Sequence, residues 1–113
     1  MNTIRIRSKI WLEVDGEPFL GDGRYHMLTA IERCGSINGA AKVLGISYRK
    51  IWAQLQAMEE HAPFKLLERR TGGIGGGETK LTPAIQDLLR HYQLLRKQVN
   101  QAADLGFKEI YIP

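Results

Sequence analysis

Two helical stretches stopped by glycines, a third ended by a proline, and two strand-like segments around a run of glycines predict a mainly α domain with small β elements. Their order fits a winged helix-turn-helix with an N-terminal hairpin and a long C-terminal dimerisation helix. At 113 residues the chain reads as one domain, 1–113, with room for a single core. Its 43% hydrophobic content is near the globular average and argues against disorder.

The amino terminus alternates. Ile4, Ile6, Ser8, Ile10 and Leu12 fall on one side and Arg5, Arg7, Lys9 and Trp11 on the other, the period of a half-buried strand. Asp15-Gly16-Glu17-Pro18 supplies a turn and Phe19-Leu20 resumes the apolar stretch, so 4–20 reads as a hairpin. From Arg24 the period becomes helical, opening a three-helix core over 24–60. Met27 or Leu28, Ile31 and Cys34 share one face until Gly35 stops the helix. Ser36 is placed to cap a short helix that turns Ile37, Ala40, Ala41 and Leu44 inward. Gly45 closes it, Ile46 plugs the core, and Ser47 caps a third helix from Tyr48 to about Glu60, short of Pro63. The helix-turn-helix is thus 36–59.

Beyond it, Phe64–Arg70 and Thr79–Thr82 read as the strands of a wing, 64–82, whose tip 71–78 holds five glycines. Thr82-Pro83 then opens a last helix, 83–105, that Gly106 is expected to end. In it Ile85, Leu88, Tyr92, Leu95, Val99 and Ala102 recur at spacings of 3, 4, 3, 4 and 3. Such an a/d seam suits pairing with a second copy of the chain, the alternative being packing on its own core. Leu89 and Leu94 lie off the seam and are expected to do the intrachain packing.

Charge is distributed unevenly. From Arg33 to Met58 there are four basic residues, Arg33, Lys42, Arg49 and Lys50, and no acidic one, although the chain has 12 acids and a net charge of +4. Repulsion from phosphates acts within a Debye length of about 8 Å, so this local asymmetry matters more than the total. With Ile51, Leu55 and Met58 as the buried stripe of the third helix, the opposite face carries Arg49, Ala53 and Gln56, flanked by Lys50 and Ala57. Arg and Lys donate to guanine or phosphate, Gln pairs with adenine, and Ala admits close approach. Double-stranded DNA is the expected partner. Tyr48 can bond a phosphate through its hydroxyl, although aromatic residues at such positions, Trp52 among them, more often belong to the core. Ser36 and Ser47 sit where a phosphate meets helix amides, although capping alone explains both. Arg69, Arg70, Thr71 and Lys80 lie on the wing as candidate phosphate contacts, although its charges also suit a plainly solvated hairpin.

Other classes fit poorly. The lone Cys34 has no partner for a disulfide or a zinc site, which points to a reducing, cytoplasmic setting. No segment reaches the roughly 18 apolar residues of a membrane span. His26, His61 and His91 lack ligand spacing, no nucleophile motif occurs, and the chain is not expected to be an enzyme or to need a cofactor. The glycine tip lacks the Gly-Lys-Ser/Thr ending of a phosphate loop.

The stretch from Cys34-Gly35-Ser36-Ile37 through Gly45-Ile46-Ser47-Tyr48 and Trp52, then Glu68-Arg69, Thr71-Gly72-Gly73, Gly75-Gly76-Gly77 and Leu81-Thr82, resembles the DNA-binding domain of the ModE family. These are bacterial molybdate-responsive transcriptional regulators. The stretch is similar, more distantly, to the winged helix of LysR-type regulators. The likeness runs from about Leu20 to about Ala102. It implies a homodimer held by the long terminal helix on a palindromic operator, with a recognition helix Ser47–Met58, a wing Glu68–Leu81 and a seam Ile85–Ala102. ModE proteins continue into molybdate-binding domains, so no molybdate site is expected within these 113 residues. The competing expectation is a winged helix that pairs with a separate sensor chain.

Overall fold

The computed structural model describes residues 2–70 and 77–111. The elements run β1 (Leu12–Val14), β2 (Glu17–Leu20), α1 (Asp22–Cys34), α2 (Ile37–Leu44), α3 (Tyr48–His61), β3 (Leu67–Arg70), β4 (Glu78–Leu81) and α4 (Pro83–Tyr111). This is the expected mainly α chain with two small antiparallel hairpins, β1–β2 and β3–β4.

The helix-turn-helix forms where its local chemistry places it. Gly35 and Gly45 take left-handed φ values of 72° and 69°, closing α1 and α2 with backbone bonds to Ile31 and Ala41. Between them the Ser36 hydroxyl accepts from the Gly39 amide at 2.9 Å, and the Ser47 hydroxyl accepts from Lys50 at 3.1 Å. One core joins the layers: Leu28 and Ile31 of α1, Ala40 of α2, Ile51, Leu55 and Met58 of α3, Leu66 and Leu81 at the wing base, and Ile85 of α4 are all buried. Thr79 donates its amide to Gly35 O at 2.9 Å, pinning β4 to the α1–α2 turn. The Thr82 hydroxyl donates to Lys65 O at 2.6 Å while the Thr82 amide donates to Leu66 O, so the wing base and the start of α4 are tied together.

Several expectations need correction. Residues 2–11 form no strand, because they have no partner strand, and β1 has only three residues with an irregular register beside Leu12. The segment is held instead by α4: Arg96 donates to Ser8 O at 2.8 Å, the Tyr92 hydroxyl lies 3.2 Å from Ile10 O, and the Ser8 hydroxyl bonds Asn100. Next, α1 begins at Asp22 and includes Gly23. Gly106 does not end α4, which runs to Tyr111; Phe107 and Tyr111 stack at 4.9 Å, one turn apart, across the stretch expected to leave the helix. The seam, finally, is split. Ile85 and Tyr92 are 0% and 1% exposed and Leu88 packs against the same core, so they belong to this chain's own interior. Leu95, Val99 and Ala102 lie exposed beyond the domain. Leu89 packs intrachain as expected, whereas Leu94 is 60% exposed because α4 has left the core by that turn.

Candidate nucleic-acid interface

Burying Ile51, Leu55 and Met58 leaves the opposite face of α3 to solvent, and Tyr48, Arg49, Lys50, Ala53, Gln56 and Ala57 are all exposed. None of them is drawn into the core or into an ion pair among the described residues. The helix stands as a ridge between two depressions. One, of about 350 Å3, is bordered by Gly23, Arg24, Met27, Leu44, Ile46, Lys50 and Gln54. The other, of about 270 Å3, is bordered by Ser36, Ile37, Asn38, Tyr48, Arg69, Gly77, Glu78 and Thr79. A ridge about one helix wide, with donors along its crest, has the dimensions a major groove admits.

Different elements hold the two flanks. On the wing side the Arg69 guanidinium lies 4.0 Å over the Trp52 ring, joining β3 to α3. Lys80 leans toward Glu78, Nζ to Oε1 3.6 Å, with both side chains about half exposed or more. On the other side Arg24 donates to Gln54 Oε1 at 2.9 Å and to the carbonyls of Pro18 and Phe19, which fixes α3 against the first hairpin. Burial lowers the Arg24 pKa below the usual guanidinium value.

Behind this face a second polar cluster ties α1 to α4. Arg96 forks onto Asp22 with two 3.0 Å bonds, and the Tyr92 hydroxyl donates to the same carboxylate at 2.5 Å. The bonds from Arg96 and then Tyr92 hold the Asp22 pKa down at about 2. Burial, then the Asp22 hydrogen bond, push Tyr92 up to about 12. The Asp22 bond likewise raises Arg96.

Of the expected contact residues, Ser36, Tyr48 and Arg69 border one depression; Arg49, Lys50, Ala53 and Gln56 lie exposed on α3 behind its Ser47 cap, and Lys80 lies exposed on β4. Arg70 lies on β3, its backbone paired with Glu78; Thr71 and the expected wing tip through Gly76 lie outside the described residues, as does the tail from Ile112. Trp52 is half-buried and packs on the core, one of its two expected roles, while its ring also carries Arg69. Asn38 and the Asp22–Arg96 pair carry no signal in the sequence pattern. The depression at Asn38 needs the wing folded over the α2 start, and 74 residues separate Asp22 from Arg96. Among the described residues no group of three or more His, Cys, Asp or Glu side chains converges to hold a metal, and no helix is long and apolar enough to cross a membrane.

The profile of the family described as "Bacterial regulatory helix-turn-helix protein, lysR family" matches residues 24–84, the span from α1 to the first turn of α4. The chain belongs to this lysR family. Within it, the expected likeness to ModE-type regulators holds. The chain is 44% identical over 84 residues to the "Transcriptional regulator ModE" of Haemophilus influenzae, a match covering 74% of this chain and 33% of that protein. It is 38% identical over 104 residues to the "Molybdenum transport protein ModE" of Azotobacter vinelandii, covering 92% and 38%. The lysR-family chain thus spans little more than a third of the length of these relatives. Among solved structures, the "BenM_DBD/catB site 1 DNA Complex" matches with a TM-score of 0.51 and 27% identity over 80% of this chain and 91% of that one.

Proposed function

We propose that this chain is the sequence-specific, double-stranded DNA-binding part of a ModE-type transcriptional regulator, acting in the cytoplasm as a homodimer on a palindromic operator in molybdenum metabolism. The observation that carries this reading is the exposed crest of α3, acid-free from Tyr48 to Met58, with Arg49, Lys50 and Gln56 projecting from a helix held on both flanks. Regulation follows from occupancy of the operator, and the proposal includes no catalytic step. The likeness to ModE proteins and to a winged helix in a DNA complex supports it.

Arg49 is assigned to a base edge, with Gln56 roughly two turns further along the crest; Ser36, Tyr48 and Lys80 are assigned to phosphates. Arg49→Ala is expected to cost about 1–3 kcal/mol on the preferred duplex and to relax specificity at one base pair. The check is selection of preferred duplexes from a random-sequence pool, followed by fluorescence anisotropy with wild type and variant. Equal affinity and equal preference in both proteins removes Arg49 from the base-reading role. Failure of the wild type to enrich any sequence removes the reading as a whole.

A further inference from the structure

Trp52 packs against the core and also carries the Arg69 guanidinium on its ring, beside the 270 Å3 depression between the α2 start and the wing. Arg69 borders that depression, together with Ser36, Asn38 and Tyr48. We propose that Trp52 is a positioning residue for one DNA phosphate: its indole face holds the Arg69 guanidinium at the edge of this depression, and a phosphodiester seated there bonds Arg69, Tyr48 and Asn38. This rests on the DNA-binding reading and adds to it a seat for the backbone and a residue that tunes it.

The chemistry of stacking makes the division of labour possible. A guanidinium packed on an aromatic ring uses its π face, while its five N–H donors point outward in its own plane and stay free for an anion. Among the described residues Arg69 has no carboxylate partner, since Glu78, the acid at the same depression, leans to Lys80. An unstacked arginine on an exposed strand spreads over many rotamers, and each must be given up when the phosphate binds; stacking removes that freedom beforehand. Helix caps fix the backbone positions of the other two donors. Tyr48 starts α3 behind the Ser47 cap, and Asn38 is the second residue of α2 behind the Ser36 cap. Thr79, bonded to Gly35, keeps the wing at a set distance from both. The α3 crest meets base edges, so a phosphate in this depression lies one flank away, where the strand leaves the groove.

The test compares wild type, Trp52→Leu, Trp52→Phe, Arg69→Lys and the Trp52→Leu/Arg69→Lys double variant. Each is titrated against a duplex enriched by the wild type and against a scrambled duplex, over a series of salt concentrations. Trp52→Leu is expected to weaken both duplexes by the same factor, about 5- to 10-fold, while the slope of log K on log salt stays at the wild-type value, because Arg69 keeps its charge and still meets the phosphate once ordered. Arg69→Lys keeps the charge but loses the planar stack, so it shows a similar loss, and the double variant is no worse than either single one. Trp52→Phe retains a ring and recovers most of the affinity. Arg69→Lys, on an exposed side chain, keeps the test valid if Trp52→Leu fails to fold. Multiplicative losses in the double variant, a loss confined to the enriched duplex, or wild-type affinity in Arg69→Lys overturns the positioning role while leaving DNA binding intact. A wild type that binds neither duplex overturns both.

Discussion

Asp22 sits in the first turn of α1, where the helix dipole already favours a negative charge, and it takes the Arg96 fork and the Tyr92 hydroxyl as well. Its folded pKa, about 2, lies below the ordinary 3.8. The ionised carboxylate's contribution to stability is therefore whole above pH 3.8 and is lost as the pH falls through about 2. Tyr92 shifts the other way, from 10.0 to about 12, so its contribution is whole below pH 10 and is lost as the pH rises toward 12. One cluster thus supports the fold over the whole range between. Asp22→Asn is expected to melt below wild type at pH 7, with the gap closing as the pH approaches 2. Tyr92→Phe is expected to lack the alkaline step between pH 10 and 12. Thermal melts by circular dichroism across pH check both. A gap between Asp22→Asn and wild type that stays constant from pH 7 to 2 shows that the loss is one of packing, not of charge.

At the scale of elements, the α1–α2–α3 run is built by residues whose effects are local, and for that reason its caps, stops and buried stripes are legible in the sequence alone. Gly45 at φ 69° has open space where a Cβ would go, so Gly45→Ala carries only the backbone cost of the left-handed region, about 1 kcal/mol by urea denaturation. Gly39 is the contrasting case: an added Cβ would lie 2.9 Å from the Ser36 hydroxyl that caps its own amide. Ser36→Ala is then expected to cost about 1 kcal/mol in the wild type and close to nothing in a Gly39→Ala background, where the cap is already displaced. Equal cost in both backgrounds would show that the hydroxyl bond survives the added methyl. The elements that differ from expectation depend on distant partners. Alternation at Ile4, Ile6 and Ile10 is a strand signal only if a neighbouring strand supplies hydrogen bonds, and here α4 takes that segment through side chains. Gly106 costs a helix only about 1 kcal/mol, which its neighbours offset, so a lone glycine in a long helix is a poor stop signal. The α3 crest is legible from its period, whereas the Arg69–Trp52 stack requires the wing's position, which the sequence pattern does not encode.

The described residues measure 62 × 34 × 20 Å, and α4 accounts for most of the long axis: 29 residues at about 1.5 Å each extend roughly 43 Å, well past the core that its first turns complete. On the projecting part, Leu94, Leu95, Val99 and Leu105 are exposed, with Leu95 at 44% and Val99 at 37%. A strip of this kind suits a protein–protein contact. In the proposed dimer a second copy covers it, so the pairing seam lies from Leu94 onward and not along the full heptad run from Ile85. Two copies joined there would carry their α3 crests to half-sites a helical turn or a multiple apart, about 34 Å or more. The expected outcome for a Leu95→Glu/Val99→Glu double variant follows from its position. Both residues are clear of the core, so helix content and melting of the winged domain stay near wild type, while sedimentation shifts from dimer to monomer. Affinity for a duplex with two half-sites then falls by about 100-fold or more, because the second domain no longer binds at high effective concentration, and affinity for a single half-site stays unchanged. A double variant that still sediments as a dimer moves the interface elsewhere, and equal losses on one and two half-sites would mean that α4 contributes to the reading head itself.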